Sequence, residues 1–135
     1  MTDVIEREVL DVDVLFVGAG SASLAGAIRL AQLVQEHPDA FPEPPSIAVI
    51  EKGSEVGAHI LSGAVMVPKA LDELFGPEWR DEAPIGPVVD REDITALLNE
   101  TRSINLPVVP PQMHNVGNII LSASRLARWL GTKAE

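Results

Sequence analysis

Gly18, Gly20 and Ser23 have the spacing of a loop that can hold a pyrophosphate, and Glu51 stands where such units carry a ribose-binding acid. Each residue type has a physical task in that chemistry. Glycine at position 18 lets the chain turn sharply out of a strand, and Gly20 has no side chain to keep a phosphate from the backbone. A small third residue, Ser23, lets a helix pack closely on the strand. The N–H groups left free along Gly18-Ala19-Gly20-Ser21-Ala22-Ser23, at the helix start, then face the phosphate oxygens. Glu51 can accept hydrogen bonds from the hydroxyls of an adenosine ribose. It lies 31 positions after Gly20, against roughly 20 in the usual unit, and the Pro-rich loop 38–45 supplies most of the excess. FAD and NAD present the same adenosine diphosphate to such a loop. The 2′-phosphate of NADP would force a second negative group against Glu51.

These residues need strand, helix and strand to position them. Residues 12–17 (VDVLFV) are short, β-branched and nearly all apolar, which predicts a parallel strand buried on both faces. Leu24, Ala27, Ile28, Ala31 and Val34 recur at helical spacing, and the helix must end near His37-Pro38. Residues 39–46 read as a loop and 47–50 as the second strand, with Glu51 at its carboxyl end. Residues 52–67 have no clear period. Pro68 suits the first position of a helix bearing Leu71, Leu74 and Phe75, which Gly76-Pro77 stops. Ile94, Ala96 and Leu98 alternate, residues 99–101 can turn, and 102–109 can return, which predicts a β-hairpin. Residues 117–121 read as a short strand, and Ser122 or Ser124 as the cap of a last helix holding Leu126, Trp129 and Leu130 on one side. The fold expected is α/β, a Rossmann-like βαβ dinucleotide-binding fold that is incomplete and carries an inserted hairpin. Residues 1–10 form an extension, and 11–135 the N-terminal part of an FAD-binding domain.

Composition narrows the functions. The formal charge is −10, and no basic cluster exceeds a pair, so nothing here would neutralise a nucleic-acid backbone. Absence of cysteine excludes disulfides and thiolate-ligated zinc or iron–sulfur sites within these residues. His37, His59 and His114 are too scattered to form a metal site. The first ten residues lack the character of a signal or transit peptide, and no run approaches the ~18 apolar residues of a membrane span. A doubly wound domain normally continues beyond two strands, so 135 residues point to a fragment of a longer enzyme.

Gly57-Ala58-His59-Ile60-Leu61-Ser62-Gly63-Ala64, following Glu51-Lys52, closely resembles a stretch of the electron transfer flavoprotein–ubiquinone oxidoreductase family. The likeness continues through residues 68–75, 87–107 and 113–118 and ends in Arg128-Trp129-Leu130. Ser21 stands where the family often has proline, and Ser23 where many members have glycine. The resemblance implies noncovalent FAD, electrons taken from reduced electron transfer flavoprotein, and delivery to a quinone (ubiquinone or menaquinone) through a [4Fe-4S] cluster. That cluster would belong to a C-terminal part outside this chain. It also implies peripheral association with one membrane leaflet, the cytoplasmic face of a bacterial inner membrane, with residues 56–67 and the following helix as the candidate surface.

On this reading the loop from His59 through Ser62, Gly63 and Ala64 approaches the flavin, and Lys52 adjoins the ribose acid. His59 could hydrogen-bond the flavin or merely pin the loop. Ser62 has no basic partner in sequence and is not read as a nucleophile. Gly63 permits close backbone approach. No acid–base residue is assigned, because the isoalloxazine carries the redox chemistry. His114, Asn115 and Asn118 read as a turn, Trp79 and Trp129 as core, and Asp72-Glu73 and Glu92-Asp93 as solvated faces. Two alternatives are another FAD-dependent oxidoreductase of the same superfamily, geranylgeranyl reductase-like, and a non-catalytic truncated dinucleotide-binding module.

Overall fold

The computed structural model describes residues 9–61 and 63–135. Strand β1 (Val14–Val17) enters the helix α1 (Ser21–Glu36) through the glycine turn, and β2 (Ile47–Ile50) returns to pair parallel with β1, Val14 opposite Ile47 and Val17 opposite Ile50. The first strand is shorter than expected. The Asp13 carboxylate takes both the N–H and the hydroxyl of Ser46, at 2.8 and 2.7 Å, and this pulls the chain before Val14 into a bend. Burial on both faces is also not what the structure shows. Helix α1 covers one face, while Leu15 and Val17 alternate outward and remain exposed. Helix and strand come close at a residue outside the glycine pattern. A Cβ on Gly26 would lie 3.0 Å from the Phe16 ring.

The helix ends as expected, with the His37 N–H bonded to the Leu33 carbonyl before Pro38. Beyond β2, a second sheet forms from pieces with little local signal. Strands β3 (Ala64–Met66) and β4 (Ile85–Val88) flank β7 (Ile119–Leu121), both antiparallel to it, giving the order β3-β7-β4. Between β3 and β4 lie α2 (Lys69–Phe75) and the single turn α3 (Trp79–Glu82). Gly76, at φ +73°, closes α2 with its N–H on the Asp72 carbonyl. The hairpin β5 (Thr95–Asn99) and β6 (Arg102–Asn105) is present, turned by Asn99, whose side-chain oxygen accepts the N–H groups of Thr101 and Arg102. It ends at Asn105 rather than at residue 109. The final helix α4 (Ala123–Ala134) starts on the Ser122 hydroxyl, which accepts the Arg125 N–H at 3.4 Å. Ser124 is used elsewhere.

A single core joins the two sheets. Leu24 and Ile28 of α1, Trp79 of α3, Ile119 of β7 and Leu126 and Leu130 of α4 are all buried in it. The expected core role of the tryptophans holds: Trp79 is buried, and Trp129 packs half-buried, edge-on to Phe75 at 5.1 Å. Two pairs of acids read as solvated prove otherwise for one member each. Asp72 accepts the Trp79 indole N–H at 2.8 Å and pairs with the Arg80 guanidinium, which holds its carboxyl below the usual range, with the indole helping. Glu92, with a side chain only 15% exposed, accepts the Asn115 N–H and pairs with the His114 imidazole. Asn115 and Asn118 close the turn that follows, as anticipated. Both acids read as solvated from their charge alone. Their partners come from residues 8 and 23 positions away, beyond what local pattern registers.

Candidate functional site

The turn out of β1 is made by Gly18 at φ +93°, a conformation that side chains disfavour. Its N–H donates to the Ile50 carbonyl at 2.7 Å, so the turn is anchored to the end of β2. Gly20 is the N-cap of α1 with extended angles (φ −77°, ψ 166°), and no side chain caps the helix. The helix start therefore leaves the N–H groups of Ser21, Ala22 and Ser23 without intrahelical acceptors. A Cβ on Gly18 or Gly20 would meet nothing within 4 Å. The crest of the turn is open space bordered by backbone donors, a cradle that side chains would fill. It suits an anion, because the helix dipole and the orphan N–H groups act in the same direction.

Glu51 leaves β2 beside this cradle. Its carboxylate accepts the Gly53 N–H at 2.7 Å and the Ala19 N–H at 2.9 Å. Glu51 and the glycine turn, 32 residues apart, are thus joined directly. These bonds hold the Glu51 carboxyl below its ordinary range, Gly53 contributing most and Ala19 next. Burial acts in the opposite direction and is outweighed. The folded-state pKa is lowered, so the stabilisation is present above the ordinary value of 4.5 and disappears as pH falls through the folded value. The Ala19 and Gly53 amide resonances are expected to titrate together by NMR, with a shared midpoint below 4.5. Independent midpoints would mean that one carboxylate does not bridge them.

His59 joins the same place. A Cβ on Gly53 would lie 3.1 Å from Glu51 Oε1 and 3.3 Å from His59 Cε1. Val17, Gly18, Ile50, Glu51, Lys52 and His59 line a cleft of about 410 Å³ at the carboxyl ends of the two parallel strands. This is the crevice where open α/β sheets take ligands. A larger concavity of about 590 Å³ lies behind α1, against the end of α4. It shares Ala19 and Glu51 with the turn but is otherwise walled mainly by α1 and the end of α4, among them Ala27, Ala31 and Lys133. Gly18, Lys52 and His59 line only the smaller cleft, which is therefore the better candidate.

The structure thus brings Gly18, Ala19, Gly20, Glu51, Lys52 and His59 together, with Ser21, Ala22 and Ser23 in the first turn of α1. Gly63 and Ala64 stand farther along, where the loop returns as β3. Gly63 has φ +97° and open space around it. Ser62 lies outside the described residues. Sequence reasoning missed Gly53, whose backbone N–H orients Glu51 at close quarters to His59; the glycine two residues after the acid was the available signal. Among the described residues no group of His, Asp or Glu could hold a metal ion.

No family model matches the chain. Among curated proteins, the probable electron transfer flavoprotein-ubiquinone oxidoreductase of Acinetobacter baylyi is 48% identical over 97% of this chain. The electron transfer flavoprotein-ubiquinone oxidoreductase of Pseudomonas aeruginosa is 47% identical over 96%, and the mitochondrial protein of that name from Bos taurus 40% identical over 96%. The chain spans 23% of the length of each bacterial relative and 20% of the bovine one. Over nearly its whole length, the chain is a homologue of the N-terminal part of proteins named electron transfer flavoprotein–ubiquinone oxidoreductases.

Proposed function

We propose that residues 11–135 form the N-terminal part of a Rossmann-type FAD-binding domain, in an enzyme that passes electrons from reduced electron transfer flavoprotein to a membrane quinone. The observation that carries this reading is the link from Glu51 to the Ala19 N–H, which sets a ribose acid beside an open, positive-φ phosphate turn. The donor set fits FAD. The N–H groups at the head of α1 would hold the pyrophosphate, Glu51 the ribose hydroxyls, with Lys52 adjoining it. The loop from His59 to Ala64 would border the flavin. Bound there, the flavin supplies the redox chemistry, taking electrons from one partner and yielding them toward ubiquinone or menaquinone. The chain's own part is to bind, orient and shield it; the two protons that a quinone takes up with its two electrons are assigned to no residue of this chain. A [4Fe-4S] cluster would be held outside these residues, which contain no cysteine.

The deciding experiment is an absorbance spectrum of the chain after incubation with FAD and desalting. Retained flavin absorbance is the expected result. Its absence here and in a version extended to the length of the relatives would reject the flavoprotein reading.

Peripheral membrane contact belongs to the same proposal. No helix among the described residues is long and apolar enough to cross a membrane. Within 56–67, Val56 packs into the core while Leu61, Val65 and Val67 are exposed, so only part of that stretch is free to face lipid. The hairpin offers more. Leu97 is 81% exposed, Leu98 and Ile104 are exposed as well, and the two strands pack chiefly on each other. The hairpin is therefore the better-supported lipid-facing element. Paired Leu97→Asp and Leu98→Asp exchanges are expected to abolish co-sedimentation with phospholipid vesicles at unchanged flavin content. Undiminished sedimentation would remove the hairpin from that role.

A further inference from the structure

We propose that Ser124 and Arg128 of α4 are positioning residues, holding the turn at residues 55–57 and through it placing His59 at the mouth of the cleft; the inference rests on the flavin reading of that cleft. Three successive contacts on one face of α4 carry it. The Ser124 hydroxyl donates to the Gly57 carbonyl at 2.9 Å. One turn later, Arg128 donates through Nε to the Val56 carbonyl at 3.3 Å and through Nη2 to Glu55 Oε1 at 2.7 Å. At Gly131, a Cβ would stand 3.5 Å from the Val56 methyls. The spacing 124, 128, 131 is that of a single helical stripe.

The turn is built to be gripped. Gly57 is buried at φ +83°, and a Cβ there would lie 2.7 Å from the Ser124 carbonyl oxygen, so only glycine allows this approach. From the gripped residues the chain winds tightly onward. The Ala58 N–H bonds the Glu55 carbonyl and the Ile60 N–H the Gly57 carbonyl, each at 3.2 Å. His59 sits between those two bonds, with its ring beside Gly53 and Glu51. A displacement of residues 55–57 must therefore move the imidazole.

Global stability has little share in this device. The Arg128–Glu55 pair is about half exposed on both sides, and such pairs add little to folding. Helix α4 is fixed independently through buried Leu126 and Leu130. Position, not stability, is what the polar ties determine.

The test uses the full chain carrying Ser124→Ala and Arg128→Ala together. The readouts are the NMR cross-peak between the His59 Hε1 and Gly53 Hα protons, FAD affinity by flavin fluorescence, and the thermal midpoint. The expected result is loss of the cross-peak and about a tenfold loss of affinity, with the midpoint lowered by less than about 4 °C. Arg128→Lys, which keeps a cation for Glu55, should stay within about twofold of the parent affinity. An unchanged cross-peak overturns the proposal. So does an affinity loss that comes with loss of the α1–α4 packing signals, because the residues would then be stabilising the fold. A parent chain that binds no FAD would defeat the flavin reading alone, and the cross-peak would still decide whether α4 places His59.

Discussion

Exchanging Gly20 for aspartate is expected to stabilise the chain and to abolish its affinity for FAD. The two effects separate because Gly20 already has backbone angles that any residue adopts, φ −77° and ψ 166°. The position is the N-cap of a 16-residue helix that no side chain caps, and an added Cβ would meet nothing within 4 Å. Aspartate is among the favoured N-caps, and its charge complements the helix dipole. A gain of a few tenths up to about 1 kcal/mol follows. The same carboxylate would consume the N–H groups that the pyrophosphate needs and set a negative charge against it. An affinity loss of at least about 100-fold, near 2.7 kcal/mol, is expected. Urea unfolding and a flavin fluorescence titration on the same preparations measure the two signs. Retained affinity would mean that the phosphate does not sit on this turn. Joint loss of affinity and stability would mean that Gly20 is needed for the fold instead. Gly18 could not make this separation, because its φ of +93° strains any side chain.

That separation was readable from sequence only in part. The glycine turn, α1, β2 and Glu51 are fixed by local physics: apolar runs of strand length, a helical stripe, and residues that punctuate them. The hairpin 94–105, the stop at Gly76 and the cap at Ser122 are legible for the same reason. The second sheet is not. Strand β3 has three residues in a stretch without period, and β4 contains Gly86 and Pro87, which argue locally against a strand. Both exist because β7 pairs with them from more than 30 positions away. Pro87 is tolerated on an edge strand, and Gly86 lets the Ile120 carbonyl approach to where a Cβ would be only 2.8 Å away. At the site, residue types and order were legible, whereas contacts were not. The bond from Glu51 to Ala19, the place of His59 beside Gly53, and the grip of α4 on residues 55–57 all depend on tertiary approach. The third small residue of the phosphate pattern shows the same limit. Gly26, outside that pattern, also brings helix and strand close, against Phe16.

Because β7 organises that second sheet, Ile119→Ala is expected to cost more stability than truncation at the neighbouring Ile120. Ile119 is 1% exposed and pairs with Met66 on one side and Val88 on the other, within the core formed by Trp79, Leu126 and Leu130. Ile120, the next residue, points to the opposite face and is 44% exposed. Truncation at 119 leaves a cavity that two flanking strands and a helix cannot easily close, and a loss of about 3–4 kcal/mol is expected. At 120 the loss should be under about 1 kcal/mol. Against a total of roughly 5–15 kcal/mol for a natural domain, the first loss is a large share of the whole. Urea midpoints for the two variants give the comparison, and equal losses would contradict the face assignment of β7. The consequence reaches the site. Strand β3 begins at Ala64, where the loop from His59 rejoins the sheet, and Ala64 is held by pairing with Leu121. A weakened β7 loosens the far anchor of that loop, while α4 still grips its near anchor at residues 55–57. Ile119→Ala should therefore weaken FAD binding through Gly63 and Ala64 while the His59–Gly53 contact persists, the reverse of the pattern expected when Ser124 and Arg128 are removed.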